Sequence, residues 1–223
     1  MSKNFSSRIF TSFFLLIILL FCLFSHKILW TYLVITASIL SFFEFNNLIK
    51  KSFKRENAKI YLLNFLSFIY LSSFVLICYD VYRSPPVGLI LVVLICIFSD
   101  TGGYLVGNLV GGKKLTIISP NKTISGSIGS FLFSIIPIFI YLIIYKQTGN
   151  LKFYSEKITL LIPTCLFLSL TCQLGDLFVS YFKRKAKVKD TGSLLPGHGG
   201  LLDRIDGAIF VLPMAFIIDK LFY

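Results

Sequence analysis

An all-α, polytopic transmembrane bundle of about seven spans is the fold class predicted by this sequence, on the strength of three observations. Of its 223 residues 56% are apolar, with a mean hydropathy of +0.82, against roughly 45–50% apolar content for a soluble domain. Apolar runs of about 15 to 20 residues recur along the chain, each close to the length that crosses a hydrocarbon core as a helix. The polar matter gathers between them, at residues 44–59, 107–125 and 181–206. Helices are expected because every backbone N–H and C=O within lipid must find its partner inside the segment.

The runs cover residues 9–25, 28–43, 60–79, 87–106, 126–145, 158–180 and 207–222. The first follows Lys3 and Arg8 in the manner of a signal peptide. No small-residue cleavage site follows it and a second run opens at Ile28, so it reads as a membrane helix. Residues 1–90 read as N-terminal transmembrane helices, and residues 91–223 as the transmembrane domain that carries the chemistry. With the N-terminus in the cytoplasm, 16 of the 22 Lys and Arg residues fall inside and 6 outside, the sense of the positive-inside rule. The net charge of +12 is therefore read as a membrane feature and not as a nucleic-acid surface. The basic stretch KKSFKRENAK, from Lys50, reads as a surface for anionic headgroups. Cys22, Cys78, Cys96, Cys165 and Cys172 lie inside apolar runs without CxxC spacing, and read as small core residues.

Chemistry concentrates between Gln173 and Asp206. Asp203 and Asp206 stand three apart, so a helix beginning near Leu202 places both carboxylates on one face. Two such carboxylates repel unless a cation lies between them, and hard oxygen ligands beside phosphates point to Mg²⁺. Asp176, near the end of an apolar helix, is a natural third ligand, and Asp100, at the end of the run LILVVLICIF, a fourth candidate. The bland reading makes each of these a helix cap or a dipole partner, or pairs Asp203 and Asp206 with Arg204.

The loop GSLLPGHGG, from Gly192 to Gly200, cannot form regular helix, and its glycines let backbone N–H groups approach an anion closely. It leads into the helix expected near Leu202, whose N-terminus is itself an anion site. His198 could donate to a phosphate or move a proton; its bland reading is a turn residue. The cationic run Lys183, Arg184, Lys185, Lys187 and Lys189 would offset the repulsion between a triphosphate and a phosphomonoester, with Lys183/Lys187 and Lys185/Lys189 spaced for one helical face. Its bland reading is a positive-inside anchor. A second cluster, GGKKLTIISPNKTISG at residues 111–126, places Lys113, Lys114 and Lys122 in a breaker-rich segment that lacks the Walker A order.

Ser180, Lys183, Arg184, Lys189, Asp190, Gly192, Leu195, Pro196, His198, Gly199, Gly200, Leu201, Asp203, Arg204, Ile205 and Asp206 together resemble, in order and spacing, the signature of the phosphatidate cytidylyltransferase (CDP-diacylglycerol synthase) family. SDTGGYLVGNLVGGKKL and ISPNKTISG resemble the family's pattern around Asp100, Lys114, Ser119, Pro120, Lys122, Thr123 and Gly126. Ser125, Ile117 and Ser130 depart from it. The resemblance implies transfer of a cytidylyl group from CTP to phosphatidate, giving CDP-diacylglycerol and pyrophosphate, with Mg²⁺ and room for a second, monovalent or divalent, cation. It also implies a homodimer in a bacterial-type plasma membrane, its active site on the cytoplasmic face. On this basis Asp176, Asp203, Asp206 and Asp100 are the candidate metal ligands. Lys183, Arg184, Lys189 and His198 join Asp203 and Asp206 as candidate catalytic residues. Lys114, Ser119, Lys122, Thr123, Gly199, Gly200 and Arg204 are candidates for binding substrate.

Two other readings stay open. A CTP-dependent lipid kinase needs the same metal and cations but leaves CDP instead of pyrophosphate. A transporter predicts charge at the bilayer midplane and broken helices in both halves, whereas here the charges collect at one membrane face. The DGxxAR pattern of CDP-alcohol phosphotransferases does not occur.

Overall fold

The computed structural model describes residues 3–53, 57–83, 86–146, 152–195, 197 and 199–222. Among the described residues eight helices follow the expected runs: α1 Lys3–Ser25, α2 Lys27–Ser52, α3 Asn57–Val81, α4 Val87–Val110, α5 Ile124–Ser134, α6 Ile136–Lys146, α7 Lys152–Lys185 and α8 Leu202–Phe222. The fifth run is divided between α5 and α6. Pro137 has no N–H to give the carbonyl of Phe133, and the turn tightens there, with Ile135 N–H on Leu132 O (3.4 Å) and Ile138 N–H on Ile135 O (3.0 Å). Among the described residues no named strand occurs, only two isolated bridges.

By length and composition α2, α3, α4, α7 from Leu160 onward and the α5–α6 run to Ile143 can each cross a membrane, and α1 holds a shorter apolar stretch, Phe13–Ser25. The chain is an integral membrane protein of the all-α class. Large side chains such as Phe65, Tyr61 and Leu109 are exposed, as expected where lipid and not water is the solvent.

The C-terminus of α7 differs from the helical spacing expected of its lysines. Val188 N–H bonds Lys183 O and Lys187 N–H bonds Arg184 O, both at 3.0 Å, while Lys187 adopts φ 57°. This is a Schellman closure with lysine in the left-handed position usually held by glycine. The helix therefore stops at Lys185, so Lys187 and Lys189 do not share its face with Lys183 and Lys185.

The chain divides into two compact units, Met1–Pro86 with Val179–Asp206, and Val87–Phe178 with Gly207–Tyr223. In the first, Trp30 Nε1 donates to Cys78 O (3.0 Å), Tyr82 OH to Leu23 O (3.1 Å) and Asn64 Nδ2 to Asn46 Oδ1 (3.0 Å), joining the N-terminal helices. Phe45 meets Phe182 edge-on at 5.0 Å, and Ser52 Oγ donates to Phe182 O (3.4 Å), so the chain after Val179 packs directly on α2.

In the second unit α4 and α5 approach through small residues. A methyl group at Gly126 would lie 2.8 Å from Gly103 O, and one at Gly102 would lie 2.6 Å from Gly129 O, so only glycine permits this crossing. A buried polar chain ties the same helices to α7: Ser127 Oγ donates to Gln173 Oε1 (2.6 Å), Gln173 Nε2 to Ser169 Oγ (3.5 Å), and Ser169 and Ser99 share a bond of 2.8 Å.

Candidate active site

The signature segment of the first unit folds as a knot around two carboxylates. Leu195 and Gly199 exchange backbone bonds (2.8 and 3.2 Å), closing a tight turn in which Gly197 and Gly199 have φ 75° and 85°. These are left-handed conformations that glycine adopts without strain. His198 and Pro196 lie outside the described residues.

Asp203, in the first turn of α8, takes Lys183 Nζ on Oδ1 at 2.7 Å. Its Oδ2 accepts from Thr191 N (2.7 Å), Thr191 Oγ1 (3.0 Å) and Gly200 N (3.1 Å). Burial alone would push this carboxyl up. The hydrogen bonds from Lys183 and the Thr191 N–H, the Lys183 charge and the Gly200 N–H outweigh it and hold Asp203 below the ordinary carboxylate range. A carboxylate offers about four lone-pair positions, so Oδ1 keeps capacity for a partner besides Lys183. Asp206 follows one turn later on α8, half-buried, while Arg184, Lys189 and Arg204 are exposed around the knot.

The second carboxylate belongs to Glu44 of α2, which lies outside every candidate motif of the sequence. Its Oε1 accepts from Leu201 N (2.9 Å), and its Oε2 from Leu202 N (2.9 Å) and Thr191 Oγ1 (2.7 Å). The N-terminus of α8 therefore carries an anion, as expected, but that anion is the protein's own. The glycines have the same explanation. A methyl at Gly192 would stand 2.8 Å from Glu44 Oε1, and one at Gly200 would collide with Glu44 and Thr191. A signal was available in the sequence: Glu44 directly follows the apolar run 28–43 and is flanked by Phe43 and Phe45, where an unpartnered charge is costly.

The second unit holds the other candidates. Gly111 and Gly112 (φ 63° and 106°) turn the chain out of α4. A narrow hairpin follows, with Leu115 N–H on Lys122 O (2.8 Å), Ile124 N–H on Lys113 O (3.0 Å) and Lys122 N–H on Ser119 O (3.1 Å). Lys114 bridges Thr123 across it. Thr123 caps α5, its hydroxyl accepting from Gly126 N at 3.0 Å. Ser125, where the sequence departs from the family pattern, donates its hydroxyl to Gly111 O and fastens the two ends of the hairpin. Lys122 is thereby aimed at Asp176 of α7 and forms an ion pair with it. Asp100 of α4 lies within the electrostatic reach of both and accepts a weak bond from Cys172 Sγ at 3.8 Å.

A sequence model of the cytidylyltransferase family matches residues 53–222, a stretch that includes both the hairpin and the knot. The chain belongs to that family. It is 44% identical over 126 residues to a phosphatidate cytidylyltransferase of Staphylococcus haemolyticus (strain JCSC1435), an alignment covering 56% of this chain and 46% of that protein. To the phosphatidate cytidylyltransferase of Staphylococcus aureus (strain COL) it is 45% identical over 128 residues, with the same two coverages. To that of Staphylococcus saprophyticus it is 42% identical over 126 residues, again with those coverages. The chain spans about half the length of the curated relatives it matches.

For this family member the two units offer different donor sets. Asp100 and Asp176 are hard-oxygen donors within electrostatic reach of each other, and Lys122 is ion-paired with Asp176. Asp203 and Asp206 share the first turns of α8, with Lys183 against Asp203. Either set has the oxygen chemistry that suits Mg²⁺, which needs only one or two carboxylates from protein. Among the described residues no group of three or more His, Cys, Asp or Glu side chains gathers as a ready-made metal cage. An ion held here would complete its shell from substrate and water.

Proposed function

We propose that this protein transfers a cytidylyl group from CTP to phosphatidate, forming CDP-diacylglycerol and releasing pyrophosphate. The observation that supports this reading best is that the signature from Ser180 to Asp206 lies inside the family-matched stretch and folds as one hydrogen-bonded knot around Asp203. In the reaction a phosphate oxygen of the lipid attacks the α-phosphorus of CTP. A new P–O bond forms there, the bond to the β-phosphate bridge breaks, and pyrophosphate leaves with the electron pair. The nucleophile is already anionic, so no strong base is required and catalysis rests on positioning and charge stabilisation.

Within the first unit Lys183, Arg184, Lys189 and Arg204 are assigned to phosphate oxygens, and Asp203 and Asp206 to Mg²⁺. Lys183 is aligned by Asp203 at 2.7 Å. Within the second unit Asp100 and Asp176 are assigned to Mg²⁺, Lys122 and Lys114 to phosphate, and Ser119 and Thr123 to the hairpin that aims Lys122. Mg²⁺, when bound, neutralises phosphate charge and polarises the P–O bonds. The assigned setting is a homodimer in a bacterial plasma membrane with the chemistry at the cytoplasmic face. The excess of Lys and Arg on that side supports the orientation.

Purified protein in phosphatidate-containing micelles with Mg²⁺ and labelled CTP is expected to yield lipid-linked CDP and pyrophosphate in equal amounts. Release of CDP without a cytidylylated lipid would sink this reading in favour of a CTP-dependent lipid kinase.

A further inference from the structure

We propose that Glu44 is a positioning residue for the cytidylyl-transfer site, acting through the Gly192–Leu202 loop and Asp203. This rests on the function proposed above and adds to it a residue from the N-terminal helices, which lie outside the family-matched stretch up to residue 52. The argument starts from cost. A carboxylate buried to 8% exposure in a membrane-spanning helix is unfavourable unless its oxygens are satisfied. Here three donors satisfy it, and all three belong to the signature segment, 147 to 158 residues away in sequence. An apolar side chain would pack α2 against that segment at lower cost, but it could not orient backbone N–H groups.

The contacts fix where the loop stops and α8 begins. Leu201 and Leu202 donate to Glu44 while the preceding Gly200 donates to Asp203, so successive N–H groups are divided between the two carboxylates. Thr191 Oγ1 lies between them, 2.7 Å from Glu44 and 3.0 Å from Asp203. A hydroxyl carries one proton, so the two carboxylates share it, and removing Glu44 alters the hydrogen bonding of Asp203 directly. Asp203 in turn aligns Lys183 at 2.7 Å. Glu44 thus sets the position of a candidate phosphate-binding cation without touching substrate.

Glutamine cannot replace it. Leu201 and Leu202 donate to different oxygens, so either orientation of the amide turns its NH₂ toward a backbone N–H. Aspartate keeps both acceptors on a stem one methylene shorter. The test compares wild-type protein, Glu44→Gln and Glu44→Asp by hydrogen–deuterium exchange in detergent micelles and by steady-state turnover of CTP with phosphatidate. Glu44→Gln is expected to speed exchange in peptides covering residues 190–203 while α4–α5 peptides stay unchanged, and to lower kcat on the order of tenfold or more with KM for CTP little changed. Glu44→Asp should recover part of both. Wild-type exchange and kcat in Glu44→Gln would overturn the proposal. So would a uniform loss of protection across the protein in which Glu44→Asp fares no better than Glu44→Gln, the result of a merely structural role. The exchange measurement needs no turnover, so a wild-type protein that transfers no cytidylyl group would defeat the proposed function without obscuring the clamp.

Discussion

Asp203 and Asp176 are both carboxylates on helices beside a lysine, yet their surroundings differ. Asp203 is held by two backbone N–H groups, a hydroxyl and Lys183, and its side chain is only 6% exposed. Asp176 pairs with Lys122, and both side chains keep about 30% exposure. Backbone donors are fixed by the fold and cannot leave, whereas a lysine on a four-carbon stem can swing aside when phosphate or a cation arrives. The first arrangement is suited to holding a shape and the second to exchanging partners.

The most damaging way to break this comparison is Gly200→Ala. Its methyl group has no space between Glu44, Thr191 and the Gly192 backbone, so destabilisation of about 3 kcal/mol or more is expected. Thermal unfolding in micelles measures it, and a near-normal midpoint would show that the knot is softer than its contacts imply. Asp203→Asn comes next. It leaves Lys183 near-buried without its counter-charge, expected to cost about 3 kcal/mol and most of the activity. The double variant with Lys183→Met should regain stability but not turnover.

The pH dependence sharpens the same point. Asp203 is held below its ordinary range, so its stabilising contribution is fully present above the unfolded-state pKa of about 4 and is lost as pH falls through the lower folded value. The stability gap between wild type and Asp203→Asn should therefore be constant near neutrality and shrink in strong acid. Acid titration of both proteins followed by circular dichroism checks it. In the second unit Asp176→Asn should cost less stability than Asp203→Asn, because the Lys122–Asp176 pair keeps about 30% side-chain exposure. Turnover should nevertheless fall at least ~100-fold if the carboxylate serves metal and phosphate. The smallest effect is expected from Ser125→Ala, which loosens the hairpin by about 1 kcal/mol and should show as a modest rise in KM for CTP.

Hydropathy was enough to locate the helices. The seven apolar runs correspond to α1–α8 with the α5–α6 break at Pro137, and α8 begins at Leu202, where a helix start is expected after the Gly192–Gly200 loop. These are local properties, set by composition over a few turns and by one proline. The end of α7 at Lys185 is invisible in the sequence for an equally local reason, because no glycine marks it and a lysine takes the left-handed position. Of the candidate site, the hairpin around Lys122 and the loop before Asp203 were legible as breaker-rich segments. The partners they meet were not.

The order of residues alone determined that this chain is a membrane helix bundle and which family it resembles, and it nominated the carboxylates and cations that are candidates for phosphate chemistry. Only the folded structure decided which anion fills the glycine loop. Glu44 and Leu201 are 157 residues apart, and no periodicity links positions so distant. Their meeting depends on how Val179–Asp206 settles among the N-terminal helices, where desolvation makes each buried carboxylate seek every donor within reach.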